Sequence, residues 1–70
     1  MTTIKSSVSG TVVKILVQPG EQINEGDEIL IIESMKMEIP LESEEGGEVL
    51  ELLVAEGDAV TEEQDLIKLK

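Results

Sequence analysis

The sequence contains no cysteine, no histidine and no aromatic residue. Without cysteine, neither a disulfide framework nor a thiolate metal site can stabilise the fold. Without histidine, the chain lacks the usual general base at neutral pH and the commonest metal ligand, so we predict no metal site. The core must therefore consist of Ile, Val and Leu with some Met and Ala. Such a set favours strands, because β-branched side chains pack well on a pleated surface.

A chain of 70 residues permits one small domain, because chains of this size bury only a modest fraction of their surface. We therefore expect residues 1–70 to form a single domain. Little material is left to build walls around a catalytic cleft in which a carboxylate could be kept protonated. The sequence predicts a protein that is not an enzyme in its own right.

Positive charge is scarce. Sixteen acidic residues stand against five lysines, which gives a formal net charge of -11. Such a surface repels nucleic acid and anionic membranes, and no apolar run approaches membrane-spanning length. We predict a soluble, cytoplasmic protein that is monomeric when isolated. Its charge suits transient docking into basic clefts of protein partners, and the alternative is that the charge only keeps a small domain soluble.

The chain repeats itself. A shift of 37 positions places residues 10–33 over residues 47–70 without a gap. Aliphatic residues then meet aliphatic residues, and the turn glycines coincide. This pattern predicts two half-repeats of one domain, residues 10–33 and 47–70. The identical pairs are Gly10 and Gly47, Val12 and Val49, Leu16 and Leu53, Val17 and Val54, Gly20 and Gly57, and Glu25 and Glu62.

Each half is predicted to be a strand, a turn, a short extended piece and a second strand. The strands are expected at residues 11–17, 29–33, 48–54 and 66–69, and no segment carries a helical apolar stripe of useful length. Lys14 and Glu51 interrupt the first strand of each half and should point outward. Alternation then predicts six buried side chains: Val13, Ile15, Val17, Leu50, Leu52 and Val54.

Glycines mark the turns. Pro19-Gly20 in the first half and Glu56-Gly57-Asp58 in the second are turn signals, because proline fixes φ and glycine allows a positive φ. One pair departs from the symmetry, since Gly26 is matched by Glu63. The second of these turns must either adopt another conformation or tolerate strain. Short strands between such turns predict a sandwich or flattened barrel whose halves bury one face against each other.

Residues 34–46, between the half-repeats, are predicted to have no counterpart in the repeat. They begin with Ser34-Met35-Lys36-Met37-Glu38, directly after an apolar strand. We expect a hairpin whose tip lies at Met35-Lys36, at the pole opposite the chain termini. Most lysines at a turn only solvate it, and methionines there could fold back over the end of the barrel. Exposed methionines would instead suit recognition by a partner.

The run from Glu33 to Glu38, with Met35-Lys36-Met37 at its centre, resembles the biotinylation motif of biotin carboxyl carrier proteins. The resemblance extends over the chain through Gly10-Thr11-Val12-Val13, Gly20-Glu21, Gly26-Asp27 and Glu56-Gly57-Asp58. It implies an all-β fold, a flattened β-barrel (barrel-sandwich hybrid) of two four-stranded antiparallel sheets with pseudo-twofold symmetry. In that family the modified lysine, here Lys36, lies at the tip of a tight hairpin.

The same resemblance implies a function. Lys36 would carry covalent biotin as an amide, and Met35 and Met37 would be recognised by a biotin protein ligase. Because a lysine amine is protonated at neutral pH and then a poor nucleophile, the ligase must deprotonate it. The tethered biotin would shuttle carboxybiotin between the active sites of a biotin carboxylase and a carboxyltransferase. The chain resembles most the short, free-standing biotin/lipoyl attachment proteins, or a domain of a longer carboxylase subunit.

Departures from the family and rival functions stay open at this point. Ser34 stands where alanine is common, and nothing between Gly20 and Glu28 resembles the protruding thumb of some carriers. A lipoyl carrier domain of a 2-oxo acid dehydrogenase-type system shares the fold, although Asp-Lys-Ala is more typical of its tip, and some domains accept both cofactors. An unmodified interaction module is another alternative. An acyl carrier protein would need a helical bundle and a serine in Asp-Ser-Leu, whereas Ser34 lies in Glu-Ser-Met.

Overall fold

The computed structural model describes residues 2–70, so that Met1 lies outside the described part of the chain. Residues 2–70 form β-strands and no helix, and therefore contain no helix that is long and apolar enough to cross a membrane. The strands are β1 (Thr2–Lys5), β2 (Gly10–Ile15), β3 (Gln22–Ile23), β4 (Glu28–Ser34), β5 (Met37–Glu42), β6 (Gly47–Leu52), β7 (Ala59–Val60) and β8 (Asp65–Leu69).

Two four-stranded antiparallel sheets face each other. Their strand orders are β1-β8-β6-β3 and β5-β4-β2-β7. Each sheet therefore contains two strands from the first half of the chain and two from the second. This arrangement confirms the predicted all-β flattened barrel. Interlocking of the halves also means that neither half holds a complete sheet.

The strand register reveals a longer repeat than the sequence comparison did. Thr2 pairs with Leu69 in one sheet, and Ile39 pairs with Ile32 in the other. These two pairs are related by the same shift of 37 positions. Residues 2–33 thus correspond to residues 39–70, and the prediction that residues 34–46 have no counterpart was wrong. Only residues 34–38 are without one among the described residues.

Four of the six side chains that were predicted to be buried are exposed or only half-buried in the structure. Val13 and Leu50 are exposed, at 38% each, whereas Val12 and Val49 are fully buried. The cause is a β-bulge after Val12 and another after Val49, each of which inserts one unpaired residue and reverses the alternation. Ile15 and Leu52 are half-buried, Val17 and Val54 are buried as predicted, and Lys14 and Glu51 are exposed as predicted.

The predicted glycine turns hold the two halves together. Gly20 and Gly57 have φ values of 92° and 95°, which L-residues rarely adopt. The amide of Gly20 donates to the carbonyl of Val49 at 2.8 Å, and the amide of Gly57 donates to the carbonyl of Val12 at 2.7 Å. Each turn therefore binds a strand that belongs to the other half.

An aliphatic cluster fills the space between the sheets, and its members come from both halves. The fully buried side chains are Val12, Ile29, Leu30, Ile32, Val49, Leu66 and Ile67. Two serines are buried with them, and the hydroxyls of Ser6 and Ser43 donate to the carbonyls of Val8 and Glu45. In residues 2–70 no buried side-chain polar atom is left without a partner. The space between the sheets is thus occupied by a packed aliphatic core.

Candidate functional site: the tip of the β4–β5 hairpin

The β4–β5 hairpin ends in a two-residue loop. Ser34 and Met37 are the last paired residues, so Met35 and Lys36 form the loop between them. Their φ values are 53° and 65°. A two-residue hairpin favours positive φ at both central positions, because the twist of such a turn matches that of the strands. The prediction that Lys36 lies at a hairpin tip is confirmed.

Neither loop residue is the glycine or asparagine that this conformation favours, so the strands must impose it. β4 and β5 pair along most of their length, and their inward side chains Leu30, Ile32 and Leu41 are buried in the core. This pairing and burial fix the two strand ends that the turn must join. The paired strands therefore define the position of the turn that carries the lysine.

Both methionines point into solvent instead of folding back over the barrel. Met35 is 93% exposed and Met37 is 66% exposed, and Lys36 between them is exposed as well. Exposed thioethers of this kind are soft and adaptable contacts for another protein. The folding of the domain gains little from them. They form an exposed apolar surface on both sides of Lys36.

The Lys36 amine makes no ion pair within the described part of the chain, where the one ion pair joins Lys5 to Asp65. The other lysines are placed differently. Lys5, Lys14 and Lys68 lie on β1, β2 and β8, and Lys70 follows the last strand. Lys36 is thus the lysine at a protruding turn.

Within residues 2–70, Lys36 belongs neither to a candidate metal site nor to the groove that lies elsewhere on the barrel. Residues 2–70 hold no group of three or more acidic side chains arranged to bind a metal ion. An open groove of about 450 Å³ runs between the edge strands β1 and β5, but Lys36 does not line it. The tip can present a primary amine to another protein. A group attached to it would extend away from the barrel.

One feature of the hairpin escaped the sequence analysis. Glu33 lies directly across from Glu38, and Glu28 directly across from Glu42. All four glutamates are exposed. Counting back from the tip, with Ser34 opposite Met37, would have predicted the first of these pairs. The second depends on a bulge near Ile29 that only the strand pairing reveals.

Known proteins that carry biotin/lipoyl domains are similar to this chain over nearly its whole length. The family model described as "Biotin-requiring enzyme", which covers biotin/lipoyl domains, matches residues 1–69. A "Biotin/lipoyl attachment protein" of Bacillus subtilis is 42% identical over 67 residues, which are 96% of this chain and 92% of that protein. A pyruvate carboxylase of Aspergillus niger is 41% identical over 91% of this chain, but the match spans only 5% of the enzyme.

A relative named for a different cofactor is nearly as similar. The probable dihydrolipoyllysine-residue succinyltransferase of Schizosaccharomyces pombe is 39% identical over 89% of this chain and 14% of its own length. Among solved structures, the urea carboxylase of Kluyveromyces lactis superposes with a TM-score of 0.89 at 26% identity, over 99% of this chain and 6% of that one. Fold, hairpin lysine and these similarities together assign the chain to the biotin/lipoyl attachment family.

Proposed function

We propose that this protein is a biotin carrier whose Lys36 is biotinylated by a biotin protein ligase. The single observation that carries the proposal is the exposed Met35-Lys36-Met37 tip of the paired β4–β5 hairpin. A ligase must bring a lysine amine next to an activated biotinyl group, and a protruding two-residue turn presents that amine without distorting the barrel. The carrier supplies placement, while partner enzymes supply the acid and base groups.

The biotin on Lys36 would carry a carboxyl group between a biotin carboxylase and a carboxyltransferase. This role is supported by similarity to parts of carboxylases, including pyruvate carboxylase. Tethering keeps the biotin ring at high effective concentration near both active sites, provided that the linkage can reach each of them. The strong negative charge of the chain favours encounters with basic clefts. A cytoplasmic location stays a prediction.

Lipoate is the second candidate cofactor. The specific observation in its favour is the similarity to the dihydrolipoyllysine-residue succinyltransferase, which is nearly as high as that to pyruvate carboxylase. Against it stands the tip itself, where methionines flank Lys36 on both sides. A lipoyl ligase that binds this tip would have to accept the thioethers of both methionines. Similarity to a relative named for both cofactors is consistent with attachment of either biotin or lipoate to Lys36.

Intact mass spectrometry tests the proposal. The chain is treated with ATP, biotin and a biotin protein ligase, and separately with ATP, lipoate and a lipoyl ligase. We expect one biotin-sized addition in the first reaction, mapped by peptide analysis to Lys36. Lys36→Arg keeps the positive charge and should take up none, because a guanidinium is a very weak nucleophile. Lys14→Arg, on β2, is the matched control and should be modified like the wild type.

Three outcomes would contradict the proposal. Biotin on Lys36→Arg would mean that another lysine is the acceptor. Addition of lipoate alone would make the protein a lipoyl carrier. Absence of any addition with both ligases, while a known carrier is modified in the same tube, would favour an unmodified interaction module.

A further inference from the structure

The two sheets carry very different charges at equivalent positions. In the first, Lys5 lies opposite Asp65, and their side chains form an ion pair of 2.7 Å. The shift of 37 positions turns this pair into Glu42 opposite Glu28 in the hairpin sheet. Opposite charges directly across a strand pair stabilise it, and like charges destabilise it. The duplication thus retains a stabilising pair in one sheet and a repulsive pair in the other.

The outer surface of β4 and β5 combines this repulsion with exposed apolar groups. We call it the hairpin face and define it by Glu28, Ile31, Glu33, Glu38, Pro40 and Glu42. Ile31 and Pro40 pair directly with each other and form its centre. Pro40 is exposed and Ile31 half-buried, with an acidic pair on either side of them. The face therefore has an apolar centre with an acidic pair on either side along the strands, and exposed Lys14 of β2 lies across from Ile31 on the remaining side.

The equivalent surface of the other sheet is balanced. Lys68 takes the place of Ile31, and Thr3 takes the place of Pro40. Lys5, Lys68 and Lys70 all belong to β8, its edge neighbour β1 or the residue that follows β8. Three of the five lysines therefore offset the acids of that sheet. The hairpin sheet has only Lys14 on β2 to do so, apart from Lys36 at the tip.

We propose that the hairpin face is the docking surface for the biotin protein ligase, which would contact it with basic side chains around an apolar seat. This inference rests on the proposed function. It follows from charge complementarity and from continuity, because the face runs along the two strands that carry Met35, Lys36 and Met37. A protein seated there would place its active site over the tip. Repulsion between the glutamate pairs would be relieved in the complex by the partner's positive charges.

Glu42→Lys is the decisive variant. It recreates in the hairpin sheet the pair that Lys5 and Asp65 form in the other, so the fold should be retained or strengthened. Glu42 is six residues from Lys36, roughly 20 Å along an extended strand, so the substitution leaves the reacting amine untouched. We expect kcat/KM for biotinylation to fall about tenfold at low salt, through a slower encounter. The deficit should shrink at high ionic strength, where charges are screened.

Glu51→Lys is the matched control. It makes the same change of charge at an exposed site on β6, in the sheet that lacks the hairpin, but it places a lysine opposite Lys68, so its folding is measured before its rate is compared. Its kcat/KM should stay within about twofold of the wild type. A third variant, Ile31→Thr, tests the apolar seat and should raise KM at every ionic strength while kcat is kept. The wild type and the three variants are assayed with the same ligase, chosen because it modifies the wild type. Thermal unfolding checks that each variant is folded.

The results separate this inference from the proposed function. If the wild type is biotinylated at Lys36 but Glu42→Lys reacts as fast as it does, the docking surface is elsewhere. Equal slowing by Glu42→Lys and Glu51→Lys would show that only net charge matters, and this too would overturn the inference. Failure of the ligase to modify the wild type would instead contradict the biotin proposal itself. The inference is supported if biotinylation is slower only in Glu42→Lys and Ile31→Thr, and if the deficit of Glu42→Lys disappears at high salt.

Discussion

Gly26 and Glu63 occupy equivalent positions in the two halves, and both have positive φ, 92° and 69° respectively. Their amides also make equivalent hydrogen bonds, since each donates at 2.8 Å to the carbonyl of the matching serine, Ser43 for Gly26 and Ser6 for Glu63. The turn is thus conserved in shape although the residue is not. Of the two outcomes considered from the sequence, tolerated strain is the one observed. Glutamate at positive φ costs about 1 kcal/mol or more.

The first prediction concerns this strain. Glu63→Asn should raise the free energy of unfolding by about 0.5 kcal/mol, because asparagine tolerates positive φ better than glutamate does. Asparagine is chosen over glycine because it restricts the unfolded chain more. Gly26→Ala should lower it by about 1 kcal/mol through backbone strain alone, since nothing lies within 4 Å of an added Cβ. Urea unfolding followed by circular dichroism measures both. A neutral Gly26→Ala would contradict this account.

The second prediction concerns the inter-half turns. Gly20→Val and Gly57→Val should each cost about 1–3 kcal/mol, because a β-branched residue is strained at φ near 90°. The surroundings are open at both sites, so no steric clash contributes. Similar losses are expected for both variants, since their hydrogen bonds to the other half are equivalent. Melting temperatures within a degree of the wild type would rule the explanation out.

Gly10→Ala provides a comparison with a different physical cause. An added Cβ there would lie 2.8 Å from Cγ2 of Ile32 and closer still to the carbonyl oxygen of Glu33. Backbone cannot yield as a flexible side chain can, so overpacking by about 1–3 kcal/mol is expected. Gly10 is not among the glycines with positive φ, so the cost of alanine there would come from steric overlap rather than from backbone strain.

The third prediction separates recognition from folding at the tip. Met35→Leu and Met37→Leu alter side chains that are largely exposed, so the free energy of unfolding should change by less than about 0.5 kcal/mol. If the ligase reads the thioethers, the rate of biotinylation should fall. Thermal unfolding and an intact-mass time course on the same samples test both parts. If both variants are biotinylated at the rate of the wild type, the ligase does not recognise the thioethers.

The fourth prediction concerns pH. The hydrogen bond to Asp65, and then the attraction between the two charges, raise the pKa of Lys5 above its ordinary value of 10.5. A raised pKa in the folded state means that the pair stabilises the fold below pH 10.5 and stops doing so as the pH rises through the folded value. Lys5→Gln should therefore melt slightly below the wild type at pH 8, and the difference should vanish at higher pH. Because the pair is exposed, the difference is small and should also shrink in concentrated salt. A difference that grows above pH 11 would contradict the assignment.

The location of the hairpin tip and of the main turns could be predicted from the sequence, because glycine, proline and apolar periodicity act over a few residues. The burial of Val13 and Leu50 could not. Their exposure follows from bulges, and a bulge is a property of two paired strands. Nothing within residues 10–15 alone indicates that Ile32 pairs with Val12 while Ile31 pairs with Lys14.

The sequence by itself determined the β class, the duplication, and a lone lysine between methionines at its centre. Only the tertiary structure decided which residues face each other across the strands: Lys5 with Asp65, but Glu42 with Glu28. The physical reason is that local turns and alternation depend on neighbours along the chain. Cross-strand pairs depend on register, which the packing of the whole core selects.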